Sequence, residues 1–466
     1  MTRLGTWIAA VLGLAFGILL CVLPAGQVAL VAAGLVLLLV LLQYPLLGLL
    51  LFAGVATAIP YSTVQLGLRT TLSEALLGLT WLGVLWRAFL GCYQGRLRWL
   101  ATERALLTLM LFSALPFVVG ELVIAAPGSG LVNWIRWLLN LSVLFLVPLL
   151  LPDERSRDRL LVALLLGNLV MLVVSIGYFL KDRNALSMLP LLTTLKYAHP
   201  EAVRDIFSGN YTRMASSWVH PNLTGGALAL FIPLALFYGW VRQGWRRWLG
   251  FGVALLGCAG LLLSISRGAI LALALVLLWL SARKVPYSGR IVGLAVVFGM
   301  LLVACYPPLQ ERLATMFSST NASTEIRLDE YTRFPEAMAA YPLGIGFKVD
   351  PPVPGSGLLG ISNLWLNYIY KVGVPGLLLF VLVTWRWWRE TRPHGPIPLV
   401  TQANALWLGS GCGVAAALLT GFFDHYFSFT NVLVALFWLL LALNLQQARA
   451  HPEFAGSQTS PRTNPS

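Results

Sequence analysis

The sequence predicts an all-α, polytopic membrane protein with about 12–14 transmembrane helices and a long helical outer loop, and three observations predict it. Apolar residues fill 58% of 466 positions and charged residues only 11%. Apolar runs of near-bilayer length recur from one end of the chain to the other, which excludes a soluble multidomain protein. Lysine and arginine concentrate in every second connection between those runs.

Taken in order, the spans lie near 7–24, 27–42, 44–60, 71–91, 105–124, 131–151, 160–180, 221–241, 247–263, 267–282, 290–307, 361–385, 403–421 and 429–446. The first follows Met1-Thr2-Arg3 and resembles a signal sequence. More spans follow and no small-residue cleavage site stands out, so it reads as a retained first helix. The second and third are short and separated mainly by Tyr44 and Pro45. Together they form a single membrane domain over 1–447, and 448–466, rich in Pro, Ser and Thr, reads as a disordered cytoplasmic tail.

The basic residues set the orientation, because cytoplasmic loops are enriched in Lys and Arg. Arg96, Arg98 and Arg104 lie between spans four and five, Arg155, Arg157 and Arg159 between six and seven, and Arg242, Arg246 and Arg247 between eight and nine. Arg283, Lys284 and Arg290, then Arg386, Arg389 and Arg392, continue the series. Both termini are therefore expected in the cytoplasm. The same loops explain most of the +14 net charge, which leaves no need for a nucleic-acid partner.

On this assignment the unusual residues fall on the outer face. Two long outer segments, 182–219 and 308–360, stand apart from short, almost uncharged loops. Arg267, in Ser264-Ile265-Ser266-Arg267-Gly268-Ala269, sits between two apolar runs. A charge at mid-membrane costs at least roughly 2.5–3.5 kcal/mol, so this arginine reaches an interface or a wet cavity. It reads either as a pocket cation at a tight helix-helix turn or as an interfacial arginine whose head reaches water. Arg136, Arg213, His220, Asn222, Asp424 and His425 lie on the same side. The second outer segment contains a helical stripe, Arg327, Tyr331, Phe334 and Met338, and Pro335 is expected to kink or restart that helix.

The five cysteines, Cys21, Cys92, Cys258, Cys305 and Cys412, lie in or beside spans and suggest no disulfide framework. No metal-ligand spacing appears; the outer acids include adjacent Asp329 and Glu330 but no Asp-x-Asp pair. Three Asn-x-Ser/Thr triplets, at Asn210, Asn222 and Asn321, are assigned to chance.

Four motifs in order carry a resemblance: His220-Pro221-Asn222; Ser264-x-Ser266-Arg267-Gly268-Ala269; Arg327-x-x-x-Tyr331 leading to Tyr341-Pro342-Leu343-Gly344-Ile345-Gly346-Phe347; and Ser362-Asn363, nine residues, then Gly373-Val374-Pro375-Gly376. The chain resembles the O-antigen ligase and polymerase superfamily, over roughly 205–440 by motif and over the whole chain by span layout. The resemblance implies a membrane glycosyltransferase of the GT-C type in the bacterial cytoplasmic (inner) membrane, with its active site facing the periplasm or exterior. Its partners would be a polyprenyl-diphosphate-linked glycan, a lipid or saccharide acceptor and membrane lipids, with no cofactor and no metal.

In that chemistry an acceptor hydroxyl attacks the anomeric carbon while a lipid diphosphate leaves, and fixed cations stabilise the developing charge. Arginine suits the task because its planar fork binds phosphate oxygens in pairs. Arg267 and Arg327 are assigned to the diphosphate, with Arg136 and Arg213 as further binding candidates beside Asn222, Tyr331 and Asp424. Arg333 reads as a solvated loop charge.

Ser362 departs from the family signature, which carries a histidine in that slot. The resemblance implies that this histidine helps activate the acceptor hydroxyl, and a serine with no adjacent base cannot remove a proton at neutral pH. That weakens a ligase reading more than a polymerase reading. His220 and His425 are alternative bases or structural histidines; Asn363 orients substrate or caps the following helix. Gly344, Gly346, Gly373 and Gly376 are given to loop turning and close helix approach. A small-anion (bicarbonate-like) transporter and a noncatalytic envelope-assembly protein stand as alternatives, although no internal repeat of the kind expected of a transporter is visible.

Overall fold

The computed structural model describes residues 13, 17, 21, 24–66, 68–92, 99–124, 129–182, 188–195, 213–305, 322–348, 353–429 and 431–451. Most of the first expected span, Arg96 and Arg98, the triplets at Asn210 and Asn321, large parts of both long outer segments and the tail from 452 lie outside these residues. The described chain is helical apart from its connections and one short hairpin.

Helices α1 (Ala25–Gln43) and α2 (Pro45–Ala58) meet at Tyr44, where Pro45 has no N–H to continue the first helix and instead opens the second. A two-stranded antiparallel hairpin follows, β1 (Thr63–Leu66) and β2 (Leu68–Thr71), with Thr63 opposite Thr71. Nothing in the apolar pattern predicts it. It leads into α3 (Leu72–Phe89), which starts with a capping box: the Thr71 hydroxyl accepts from the Glu74 N–H at 3.2 Å, and the Glu74 carboxylate accepts from the Thr71 N–H at 3.3 Å.

The span expected at 105–124 is two helices, α4 (Ala101–Phe112) and α5 (Ala114–Val123), broken at Ser113. Pro116 has no N–H to offer the Phe112 carbonyl, which explains the break. Then come α6 (Leu131–Leu150), α7 (Glu154–Asp182), the short α8 (Leu189–Thr194), α9 (Pro221–Val241), α10 (Trp245–Ser264), α11 (Arg267–Ala282) and α12 (Ser288–Cys305). The chain ends with α13 (Ala322–Ala339), α14 (Leu364–Thr391), α15 (Gln402–Thr420) and α16 (Asn431–Ala450). Among the described residues, nine helical stretches are long and apolar enough to cross a membrane, and Pro45–Ala58 and Arg267–Ala282 are shorter apolar helices. Helices α3 and α12 occupy two further expected spans. Helix α16 runs to Ala450, into the segment read as tail.

A helix that is apolar on every side belongs in the interior. Helices α9 and α16 fit that rule: α9 packs against α10, α11 and α15, and α16 against α6, α14 and α15. Polar pairs sort to the two ends of the bundle. At one end Arg242 and Arg246 grip Asp158 at 3.1 and 2.9 Å, and Arg449 reaches Glu103 at 2.7 Å. The motifs singled out in the sequence collect at the other.

Helix α13 carries the stripe read from the sequence. Phe334 and Met338 are buried with Ile124, Ile345, Val353 and Tyr370, and Tyr331 packs against them. The helix does not restart at Pro335, since α13 runs through it; proline removes a single hydrogen bond and the buried face on both sides holds the helix together.

Candidate functional site

The Ser264–Arg267 motif is a helix-helix corner. Ile265 takes a left-handed backbone (φ 52°, ψ 38°), which turns α10 into α11 at once. The last carbonyls of α10 lack helical partners, and Arg213 supplies them: its Nε donates to the Ser264 carbonyl at 2.8 Å and its terminal nitrogen to the Ile265 carbonyl at 3.4 Å. The same nitrogen donates to Asn222 Oδ1 at 2.5 Å. Arg267 itself is exposed as the first residue of α11. The next residue, Gly268, lies against Phe423, and a Cβ there would come within 2.8 Å of that side chain.

His220 caps α9, with Nδ1 accepting from the Asn222 N–H at 3.2 Å. Burial pushes its pKa down to about 4; the nearby Asp424 carboxylate opposes the shift, and Arg213, His425 and Arg327 add to it. A base so far below neutral pH has little driving force for proton transfer.

Asp424 is the centre of the next layer. Its Oδ2 lies 3.7 Å from Arg327 on α13, and its Oδ1 lies 3.5 Å from His425 Nδ1. The Tyr426 hydroxyl is hydrogen bonded to both Asp424 and Asn222; burial first, then the Asp424 charge, push its pKa well above the usual phenol range. One polar chain therefore runs from Arg213 through Asn222, Tyr426 and Asp424 to Arg327 and His425. Arg327 is the looser of the two arginines in that chain, since its buried Nε makes no hydrogen bond among the described residues.

Ser362 and Asn363 stand at the start of α14. Asn363 is its N-cap, accepting from the Trp365 and Leu366 N–H groups at 2.9 and 3.1 Å and donating to the Phe422 carbonyl at 3.2 Å. Ser362 is not without an adjacent base, as the sequence suggests. Its N–H donates to Glu330 Oε2 at 2.8 Å and its hydroxyl to Glu330 Oε1 at 3.2 Å, while Tyr331 donates to its carbonyl at 3.4 Å. Glu330 lies three residues beyond Arg327, so both project from one face of α13. Sequence reasoning passes over it because its partner is 32 residues away in a loop.

The two glycine motifs form a single unit. Gly373 breaks α14 with φ 73° and ψ 179°, and Gly344 has φ 78°. The carbonyls freed at the break, of Tyr370 and Lys371, accept from the Ile345 and Gly346 N–H groups at 2.9 and 3.0 Å, and Val374 donates to the Pro342 carbonyl at 3.1 Å. A Cβ on Gly344 would stand 2.6 Å from the Gly373 nitrogen, so the backbones meet only because both residues lack one. Beside this crossing, buried Lys371 donates to the Lys348 carbonyl at 3.1 Å and Lys348 to the Ile124 carbonyl at 2.6 Å. Lys371, an ionisable residue inside an apolar span, is a signal of function visible in the sequence that motif reading misses.

A cleft of about 980 Å³ opens between α13, the 357–362 loop and α14; Glu330, Ser362, Asn367, Tyr370, Lys371 and His425 are among its walls. Arg136 is not in that group. It is bound to Glu74, with Nε 3.1 and 3.0 Å from the two carboxylate oxygens and its terminal nitrogen 2.7 Å from one of them, and Asn140 adds a bond at 3.2 Å. Arg333, which with Asp329 also borders the cleft, pairs with that carboxylate at 2.7 Å, both side chains more than half exposed, as solvated charges would be. Among the described residues no three His, Cys, Asp or Glu side chains converge as a metal site.

Residues 252–381 match the O-antigen ligase family. The matched segment runs from α10 to the middle of α14 and contains Arg267, Arg327, Glu330, Ser362 and the Gly344–Gly373 crossing, so the resemblance carried by the motifs holds there. No curated protein matches the chain.

Proposed function

We propose that this chain, carrying an O-antigen ligase segment within a bundle of membrane-spanning helices, is a bacterial inner-membrane glycosyltransferase that takes glycan from a polyprenyl diphosphate on the outer face. One observation carries the reading: Glu330 of α13, Ser362 of the loop before α14 and His425 of the loop before α16 line one cleft at the end of the bundle opposite the basic connections, and Arg327, on the same face of α13 as Glu330, pairs with Asp424 next to His425.

Arg327 is the leading candidate for the departing diphosphate. Its 3.7 Å contact with Asp424 is long for an ion pair and its Nε is unbonded among the described residues, so phosphate oxygens would improve its hydrogen bonding. Arg267 flanks the same loop, since Gly268 packs on Phe423 while Arg327 pairs with Asp424, and it adds to the positive end of the α11 dipole. Arg213 holds the corner between α10 and α11, and Arg136 holds Glu74; their bonds support positioning roles. Orientation towards the exterior, with both termini inside, rests on the basic-loop pattern.

The test is direct. Purified protein in lipid bilayers, given a polyprenyl-diphosphate-linked oligosaccharide without nucleotide sugar or added metal, should release polyprenyl diphosphate and extend or transfer the glycan. A protein that leaves such donors intact with both saccharide and lipid acceptors would refute the proposal.

A further inference from the structure

We infer that Glu330 is the catalytic base that takes the proton from the acceptor hydroxyl, an assignment that rests on the transferase reading above. Of the charged groups lining the cleft, Glu325 is exposed in the first turn of α13 and no hydrogen bond among the described residues fixes its direction, Asp329 is held by Arg333 at 2.7 Å, Lys371 gives a hydrogen bond to the Lys348 carbonyl, and His425 faces Asp424. Glu330 differs from each. It is half-buried, and among the described residues its carboxylate makes no ion pair; neutral donors hold it on one side, the Ser362 N–H on one oxygen and the Ser362 hydroxyl on the other. A carboxylate oxygen accepts two hydrogen bonds, so each retains a lone pair for a hydroxyl in the cleft. Among the described residues no cation competes for those lone pairs, and the two bonds from Ser362 fix the direction in which they point.

The step balances without another reactant. The acceptor O–H bond breaks, its proton goes to a Glu330 oxygen, and the acceptor oxygen forms a bond to the anomeric carbon. The bond from that carbon to the diphosphate oxygen breaks, and its electron pair leaves with the polyprenyl diphosphate beside Arg327. Glu330 then returns the proton to water in the cleft. Arg327 and Glu330, one turn apart on one helix, divide the work: one faces the charge that leaves and the other the proton that is removed.

The competing role for Glu330 is a tether for the 357–362 loop, and glutamine separates the two. In Glu330→Gln the new side-chain amide oxygen would still accept from the Ser362 N–H, so a tether survives that change and fails only in Glu330→Ala. A base is lost in both. Turnover of a polyprenyl-diphosphate-linked oligosaccharide should therefore fall about 10²- to 10⁴-fold in both variants, with the donor KM changed little. Glu330→Asp should keep part of the rate. Ser362→Ala removes one neutral hydrogen bond of two and should cost on the order of tenfold or less. Glu330→Gln with more than about a tenth of wild-type kcat overturns the assignment, as does a full loss in His425→Ala beside an active Glu330→Gln. A wild-type protein inert towards every such donor overturns the transferase reading itself, a result distinct from either.

Discussion

The ion pair between Arg136 and Glu74 gives the sharpest test of which arginines build the protein and which serve its chemistry. The Glu74 side chain is 1% exposed and Arg136 21% exposed, with three nitrogen-oxygen contacts between 2.7 and 3.1 Å. Arg136→Met leaves a carboxylate in the interior with only Thr70, Thr71 and Asn140 as hydrogen-bond donors among the described residues. Removing one partner of a buried pair costs about 3–5 kcal/mol; the partial exposure of Arg136 places this case near about 3 kcal/mol, or about two orders of magnitude in the unfolding equilibrium. Replacing both partners removes the stranded charge, so Arg136→Met with Glu74→Gln should recover most of that loss. The assay is unfolding of the purified variants in one detergent, read by tryptophan fluorescence and accompanied by donor turnover. If Arg136→Met is as stable as wild type yet cannot transfer glycan, the structural assignment fails and Arg136 belongs to the substrate.

Other expectations concern topology, charge and pH. A cysteine at Ser356 should label from outside intact cells and one at exposed Gly289 only after permeabilisation; the reverse pattern would turn the protein over in the membrane. Arg327→Ala and Arg267→Ala should each reduce transfer while leaving expression near normal, with lysine a poor substitute because it loses the paired geometry; full activity in both would remove the diphosphate clamp. His220 has a folded pKa near 4, below its ordinary 6.5, so the unfolded chain binds the extra proton and stability should fall as pH drops from about 6.5 towards about 4. His220→Asn, which keeps a cap acceptor, should flatten that dependence in pH-resolved thermal unfolding, and an unchanged slope would assign it to other groups.

Reading the chain without its structure locates the helices well and the contacts between them poorly. Apolar length is a local property, so each described span is helical, although 105–124 is divided between two helices and α7 and α14 extend past their apolar windows into polar ends. The α13 stripe is legible for the same reason: a period of 3.6 needs no knowledge of the partner. The breaks at Ser113 and Gly373 depend on single residues within apolar runs and leave the hydropathy pattern unchanged. The roles of Arg136 and Arg213 are hidden because their acceptors, Glu74 and the Ser264 carbonyl, lie 62 and 51 residues away. In the sequence Glu330 is half of an acidic pair; only the fold brings it to Ser362.

The Gly344–Gly373 crossing makes α13 a lever. Its C-terminal end is pinned to the break in α14, whereas Arg327 stands fourteen residues before Tyr341 and Glu330 eleven. At about 1.5 Å per residue these are arms of about 21 and 17 Å. A tilt of about 5° about the pinned end moves the Arg327 backbone by nearly 2 Å and the Glu330 backbone by about 1.4 Å. The first displacement is enough to make or release the 3.7 Å contact with Asp424. On the roles proposed above, such a rotation would shift the arginine assigned to the leaving group more than the carboxylate assigned to the acceptor, which Ser362 also holds, while the buried crossing stays in place.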